Sequence, residues 1–169
     1  TAIMYADVVG FSRLTGEDEE GTYRVLRERL ARISELVSAQ GGRGVKFIGD
    51  AVFAEFASVV AAVTCGTEIQ AYLAETNRDL PEDRQIIFRI GINLGEVIID
   101  GDDLFGDGVN VAARLESLSD PGGICISASL GTSTSGRPDR LRVRGYGRAG
   151  RKEYRAASSG LSRTDGNVS

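Results

Sequence analysis

The chain contains no histidine, so any chemistry it performs rests on carboxylates, lysine, arginine, asparagine, hydroxyls and a hard cation. Two aspartates stand out by position. Asp7 interrupts the apolar run AIMYADVV at 2–9, and Asp50 follows Gly49 inside GVKFIGDAVFAEFA at 44–57. Two carboxylates held close together repel, and one resists ionising unless a cation joins them. A pair of aspartate oxygens plus substrate phosphates is a common way to hold Mg²⁺. Taken singly, Asp7 reads as a capping or loop acid and Asp50 as a turn residue. The segment Val8-Val9-Gly10-Phe11-Ser12 leads from the first of these aspartates toward a helix, and its backbone N–H groups suit a phosphate. Lys46 lies inside a strand-like run on the face opposite to Val45 and Phe47, where its ordinary role is a solvated or edge cation. Asn110 and Arg114 are four apart in a helical pattern and share a face. An arginine in such an alanine-rich helix is ordinarily an ion-pair partner. Asparagine is a poor choice in a helix interior, which hints at a specific hydrogen bond. Asp102 and Asp103 fit turn acids as well as a binding role.

The elements that must position these residues follow from periodicity and turn chemistry. Residues 2–9 predict a buried strand, 10–16 a loop, and the acids at 17–20 the start of a helix. Tyr23, Leu26, Leu30, Ile33 and Val37 give that helix one apolar face, and Gly41-Gly42 ends it. Residues 44–57 predict two strands around a Gly49-Asp50 turn. Ser58 caps a second helix, with Val59, Ala62, Val63, Ile69 and Leu73 inward. Residues 76–84 predict a loop. The run 86–100 alternates, with Phe88, Ile90, Ile92 and Leu94 on one side, and Gly95 divides it into two strands. A Gly/Asp loop at 101–108, a helix at 109–118, a Pro121-Gly122-Gly123 turn and a strand at 124–127 complete the order β-α-β-β-α-β-β-α-β. This is an α+β pattern whose first six elements match a split βαβ, ferredoxin-like βαββαβ unit, with helices expected on one face. In that topology the first and second strands run parallel with the third between them. Asp7 and Asp50 therefore come to the same end of the sheet.

The 169 residues suit one domain, and a 41% apolar share suffices for a core. The net charge of −4 is unevenly distributed. Residues 1–127 carry 11 basic and 21 acidic side chains, a net of −10, which does not suggest a nucleic-acid binder. Residues 128–169 carry 9 basic and 3 acidic side chains, a net of +6, with 7 Gly, 7 Ser and only 11 apolar residues. That composition is linker-like. No run approaches the ~20 apolar residues of a membrane span, and no signal peptide is evident. Cys65 and Cys125 sit among small or apolar neighbours and read as reduced core thiols of a cytoplasmic protein. With no Met at position 1, the chain reads as a fragment or processed piece.

Four segments, ADVVGFS (6–12), VKFIGDAVFAEF (45–56), FRIGINLGEV (88–97) and FGDGVNVAARLE (105–116), resemble in order the class III nucleotidyl cyclase catalytic domain. The family comprises adenylate and guanylate cyclases, and the likeness covers about residues 2–127, in a domain expected to extend to 156. The short stretch between Val97 and Phe105 looks like bacterial subgroups with a reduced dimerisation arm. The resemblance implies that Asp7 and Asp50 bind two Mg²⁺ or Mn²⁺ ions, and that Lys46 and Asp103 read the purine. It implies that Asn110 orients the ribose and Arg114 stabilises the transition state. Gly10, Phe11 and Ser12 would cradle phosphate. Lysine and aspartate at the purine positions are the adenylate cyclase pattern, where guanylate cyclases typically carry Glu and Cys. The expected activity is conversion of ATP to 3′,5′-cyclic AMP and pyrophosphate. It would occur in a head-to-tail homodimer whose two sites are shared, with no nucleic acid and no membrane insertion by this segment. The alternatives are an inactive or regulatory cyclase-like dimerisation module, a cyclase using GTP, or a diguanylate-cyclase-like enzyme. The likeness weakens at 128–156, so the fold is expected to be altered or truncated there. Leu141–Gly145 is placed as the first strand of the last hairpin with Arg144 in the phosphate role, Arg151 and Lys152 being rivals. Residues 157–169 are expected to form a flexible tail.

Overall fold

The computed structural model describes residues 1–94, 98–100, 103–105, 107–128, 139–141, 144–147 and 150–153; the expected 157–169 tail, Gly95 and Asp102 lie outside them. The first strand, β1 (Ala2–Val8), is followed by a short helix α1 (Phe11–Glu17) and a long helix α2 (Glu19–Ala39). The 10–16 segment expected as a loop is thus mostly helical. Gly10 makes the entry: it adopts φ 66°, ψ 34°, a left-handed conformation that suits glycine, and its carbonyl accepts from the N–H groups of Arg13 and Leu14. Asp18 separates the two helices. It is extended, and its carboxylate accepts from the Gly21 N–H at 3.0 Å to cap α2.

The hairpin formed by β2 (Arg43–Ile48) and β3 (Ala51–Phe56) turns at Gly49-Asp50, as its sequence predicts. Ser58 accepts from the Ala61 N–H at 3.1 Å and starts α3 (Val59–Asn77). A single 3-10 turn at Glu82–Arg84 leads to β4 (Phe88–Leu94). A small hairpin of β5 (Ile98–Asp100) and β6 (Asp103–Phe105) then precedes α4 (Asp107–Ser117) and β7 (Ile124–Ala128). β6 and the start of α4 fall in the 101–108 stretch expected as a loop. Three short strands follow, β8 (Asp139–Leu141), β9 (Arg144–Gly147) and β10 (Gly150–Glu153).

The main sheet has the order β2-β3-β1-β4-β7-β8. β1 is antiparallel to both β3 and β4, and β4 is parallel to β7. Its first four strands have the order of the ferredoxin-like unit. Leu141 and Arg144 do not share a strand: Leu141 pairs with Ile126 in the main sheet, while β9 pairs with β10 in a separate hairpin.

One face of the sheet carries the main core. Ala2, Met4, Ala6 and Val8 alternate inward along β1 and join Val52, Ala54, Phe56, Phe88, Ile90 and Ile92. Leu26, Ile33 and Val37 of α2, with Ala62, Cys65, Ile69 and Leu73 of α3, close over them. Within α2, Tyr23 stays exposed instead of joining that stripe. Both cysteines are free and buried. Buried polar side chains fix where β4 begins. The Gln70 amide donates to the carbonyls of Phe88 and Gly123 at 3.1 and 3.0 Å. Asn77 donates to the Ile86 carbonyl at 2.8 Å and accepts from its N–H at 3.1 Å.

The expectation of helices on one face holds for α2 and α3, and α4 adds a layer on the other. Gly91 makes the approach possible. A Cβ there would lie 2.1 Å from the Ala112 carbonyl oxygen and 2.4 Å from the Glu116 nitrogen, both in α4. The start of α4 is held as well, because Asn93 of β4 donates to the Gly108 carbonyl at 3.2 Å. The oxygen of Asn93 in turn accepts from the hydroxyl of Ser127.

Candidate active site

The site begins at the end of β1. Ala6 pairs with Val52 of β3, so the next residue along, Asp7, lies beside the Gly49-Asp50 turn. The two carboxyl groups are near enough to share a hydrogen bond. Burial, then the hydrogen bond and charge of Asp50, push the Asp7 carboxyl up to about 7, while the Val8 N–H, which donates to it at 2.8 Å, pulls it down. The arrangement foreseen from the topology is therefore present.

The surrounding face is acidic. Tyr5, two residues before Asp7 on the same face of β1, is pushed up to about 12 by burial and by the charges of Asp7, Glu116 and Asp50. Glu116, on α4, is buried, and this burial raises its carboxyl despite the opposing charge of Arg89. These carboxyl groups repel one another, and a hard divalent cation would relieve them. The donor set fits Mg²⁺ or Mn²⁺, which take oxygen ligands. Among the described residues no three His, Cys, Asp or Glu side chains form a complete metal-binding group. A cation at Asp7 and Asp50 would therefore need further oxygens, such as those of a bound phosphate.

Two residues of this face escaped the sequence reading. Arg89 pairs directly with Asp7 across β1 and β4, and its buried Nε has no hydrogen-bond partner among the described residues. Glu116 sits over Gly91. Arg89 was detectable in principle, because it occupies the polar parity of the alternating 86–100 run. The surroundings of Glu116 follow from where α4 crosses, which periodicity does not reveal.

The other candidate residues divide into groups. Lys46 pairs with Phe53, and Phe53 pairs with Tyr5, so Lys46 shares the sheet face that carries Asp7. The Tyr5 and Phe53 rings meet edge to face at 4.5 Å. Gly10 caps α1, and Phe11 and Ser12 open it, leaving their N–H groups without carbonyl partners in their own helix. The Phe11 ring is occupied against Tyr23, at 5.6 Å. Asn110 and Arg114 lie on the exposed side of α4, opposite the buried Ala112 and Glu116. No hydrogen bond or ion pair joins them to Asp7 or Asp50 among the described residues. Asp103 opens β6 in register with Asp100, and Arg144 opens β9 in register with Glu153; the side chains of both lie outside the described residues.

The fold agrees with the comparisons to known proteins. The sequence profile of the adenylate and guanylate cyclase catalytic domain matches residues 1–152. A Rhizobium meliloti (strain 1021) protein named Putative adenylate cyclase 3 is 50% identical over 139 residues, covering 82% of this chain and 24% of that protein. An adenylate cyclase of Streptomyces coelicolor is 37% identical over 135 residues, covering 76% of this chain and 32% of that protein. The crystal structure of an adenylate/guanylate cyclase/hydrolase from Silicibacter pomeroyi has a TM-score of 0.67 at 37% identity, covering 82% of this chain and 92% of that one. The chain thus spans between 24% and 32% of the length of these two curated relatives. No helix among the described residues is long and apolar enough to cross a membrane. The chain belongs to the adenylate and guanylate cyclase catalytic domain family.

Proposed function

We propose that this chain is an adenylate cyclase domain that converts ATP to 3′,5′-cyclic AMP and pyrophosphate in a homodimer with shared sites. The observation that carries the reading is the division of the site within one chain. Asp7 and Asp50 meet at one end of the sheet. Asn110 and Arg114, by contrast, face outward from α4. A second copy, placed head to tail, would bring its α4 to the first copy's carboxylates.

In the reaction the ribose 3′-oxygen bonds to the α-phosphorus, the bond from that phosphorus to the β-bridging oxygen breaks, and the 3′-hydroxyl proton passes to solvent. Asp7 and Asp50 would hold two Mg²⁺ or Mn²⁺ ions, which when bound lower the hydroxyl pKa and offset phosphate charge. Arg89 stands beside Asp7 with an unused donor, and the N–H groups of Phe11 and Ser12 lie just beyond β1; both suit phosphate oxygens. Arg144 would add a further cation. Asn110 orients the ribose by hydrogen bonding, and Arg114 supplies positive charge as it develops on the phosphoryl group.

Purine choice rests on Lys46 and Asp103. Adenine offers an acceptor at N1 and a donor at its 6-amino group, which match a lysine and an aspartate. Guanine presents the opposite pattern, and unpaired polar groups would disfavour it. Mixing two inactive variants, Asp7→Ala and Arg114→Ala, tests the shared site. In a mixed dimer one of the two sites keeps both residues, so activity should return on mixing. Continued inactivity of a mixture shown to form mixed dimers would sink the shared-site reading.

A further inference from the structure

Two polar side chains, Asn93 and Ser127, are buried where β4, β7 and α4 meet. They form a directed chain of hydrogen bonds. The Leu94 N–H donates to the Ser127 hydroxyl at 3.2 Å, that hydroxyl donates to the Asn93 side-chain oxygen, and the Asn93 amide donates to the Gly108 carbonyl at 3.2 Å. The groups at its two ends admit one arrangement. A backbone N–H only donates and a carbonyl only accepts, so the serine proton points at Asn93 and the Asn93 nitrogen at α4. Gly108 is the second residue of α4, and Asn110 follows two later. Farther along the helix, Ala112 and Glu116 rest on Gly91. That single seat leaves the helix free to tilt. Asn93, two residues on from Gly91 and on the same face of β4, holds α4 about 6 Å nearer its start. The two holds, at 108 and at 112–116, enclose Asn110 and Arg114 along the helix.

We infer that Asn93 and Ser127 are positioning residues, which fix the start of α4 so that Asn110 and Arg114 are presented to the shared site in one orientation. The inference rests on the shared-site reading of α4. Neither residue touches substrate in this scheme; both act through the Gly108 carbonyl.

The test uses Asn93→Leu, which is close to asparagine in size and lacks its donor. It is read by kcat and KM for ATP, and by mixing with the inactive variants Asp7→Ala and Arg114→Ala. Alone, Asn93→Leu should lower kcat by about 10- to 100-fold, with a smaller change in KM. Mixed with Asp7→Ala it should regain activity, because one site then combines the carboxylates of the Asn93→Leu chain with an intact α4. Mixed with Arg114→Ala it should gain nothing, because neither chain supplies a sound α4. The reverse pattern would tie Asn93 to the carboxylate end and overturn the inference. Recovery with neither variant, or an unchanged kcat, would overturn it too. If Asn93→Leu fails to fold, Ser127→Ala takes its place; it frees the Asn93 amide to turn, and should show a smaller loss with the same mixing pattern. Amide hydrogen exchange reads the hold without turnover. Residues 111–114 should exchange faster in Asn93→Leu while β1 keeps its protection, and unchanged exchange there would overturn the inference. If Asp7→Ala and Arg114→Ala fail to restore each other in proven mixed dimers, the shared-site reading falls, and exchange together with the kcat-against-KM split decides the role of Asn93.

Discussion

Gly91 and Glu116 are in contact across the sheet and α4: a side chain at position 91 would begin 2.4 Å from the Glu116 backbone nitrogen. This close approach sets the height of the helix that carries Asn110 and Arg114, and it places Glu116 over the face of Arg89 and Asp7.

Gly91→Ala should therefore damage the protein although it adds only one methyl group. The new Cβ would meet the backbone of Ala112 and Glu116, not a side chain that can rotate away. Overpacking of this kind costs about 1–3 kcal/mol. The midpoint of thermal unfolding should fall by several degrees, and turnover should fall with it as α4 lifts. An unchanged melting temperature would show that the helix is not seated where the structure places it.

The raised Asp7 carboxyl gives a pH dependence with a definite sign. Its pKa rises from 3.8 to about 7 on folding, so the cation-free folded state binds more protons than the unfolded chain between those values. Stability in chelator should then fall as pH rises from about 4 to about 7. Burial of Glu116 acts in the same direction. Adding Mg²⁺ or Mn²⁺ at pH 6 should release protons, seen as a buffer-dependent heat of binding. Asp7→Asn should flatten the stability profile and, by removing one carboxylate, abolish turnover. A profile that keeps its slope in Asp7→Asn would place the titration elsewhere.

Lys46, proposed to read the purine, pairs with Phe53 on the main sheet. Lys46→Glu should lower kcat/KM for ATP and narrow the preference for ATP over GTP, since the N1 donor is replaced by an acceptor. Parallel kcat/KM measurements with the two nucleotides check this. An equal loss with both would mean that Lys46 supports the fold or the phosphates and does not discriminate bases.

Arg114→Ala should retain nucleotide binding and lose about 100- to 1,000-fold in kcat, the usual loss when a preorganised charge at a transition state is removed. A raised KM with unchanged kcat would assign Arg114 to ground-state binding.

The Asp7–Asp50 meeting was readable in the sequence because strong local signals imposed it. An apolar run, a Gly-Asp turn and a serine cap fix β1, the hairpin and α3, and chain connectivity then leaves few topologies. α1 was not readable. It follows a glycine with no side-chain cap, and Thr15 bonds back to the carbonyls of Phe11 and Ser12, at 3.0 and 3.2 Å, inside a stretch that looks like a loop. The second layer was hidden for another reason. Ala112 and Leu115 show that α4 has a buried side, but not which face of the sheet receives it. Gly91 is the clue, and it becomes one only when the helix is placed above it. Arg89 and Glu116 owe their surroundings to that packing, so neither signalled a role by spacing alone.

The most direct test of the central claim is cyclic nucleotide formation by the purified chain. ATP and GTP are supplied side by side with Mn²⁺ over a range of chain concentrations. The expected result is cyclic AMP from ATP, much less product from GTP, and a rate rising faster than linearly with concentration near the dimer dissociation constant. No cyclic AMP at any concentration, or a clear preference for GTP, would contradict the account.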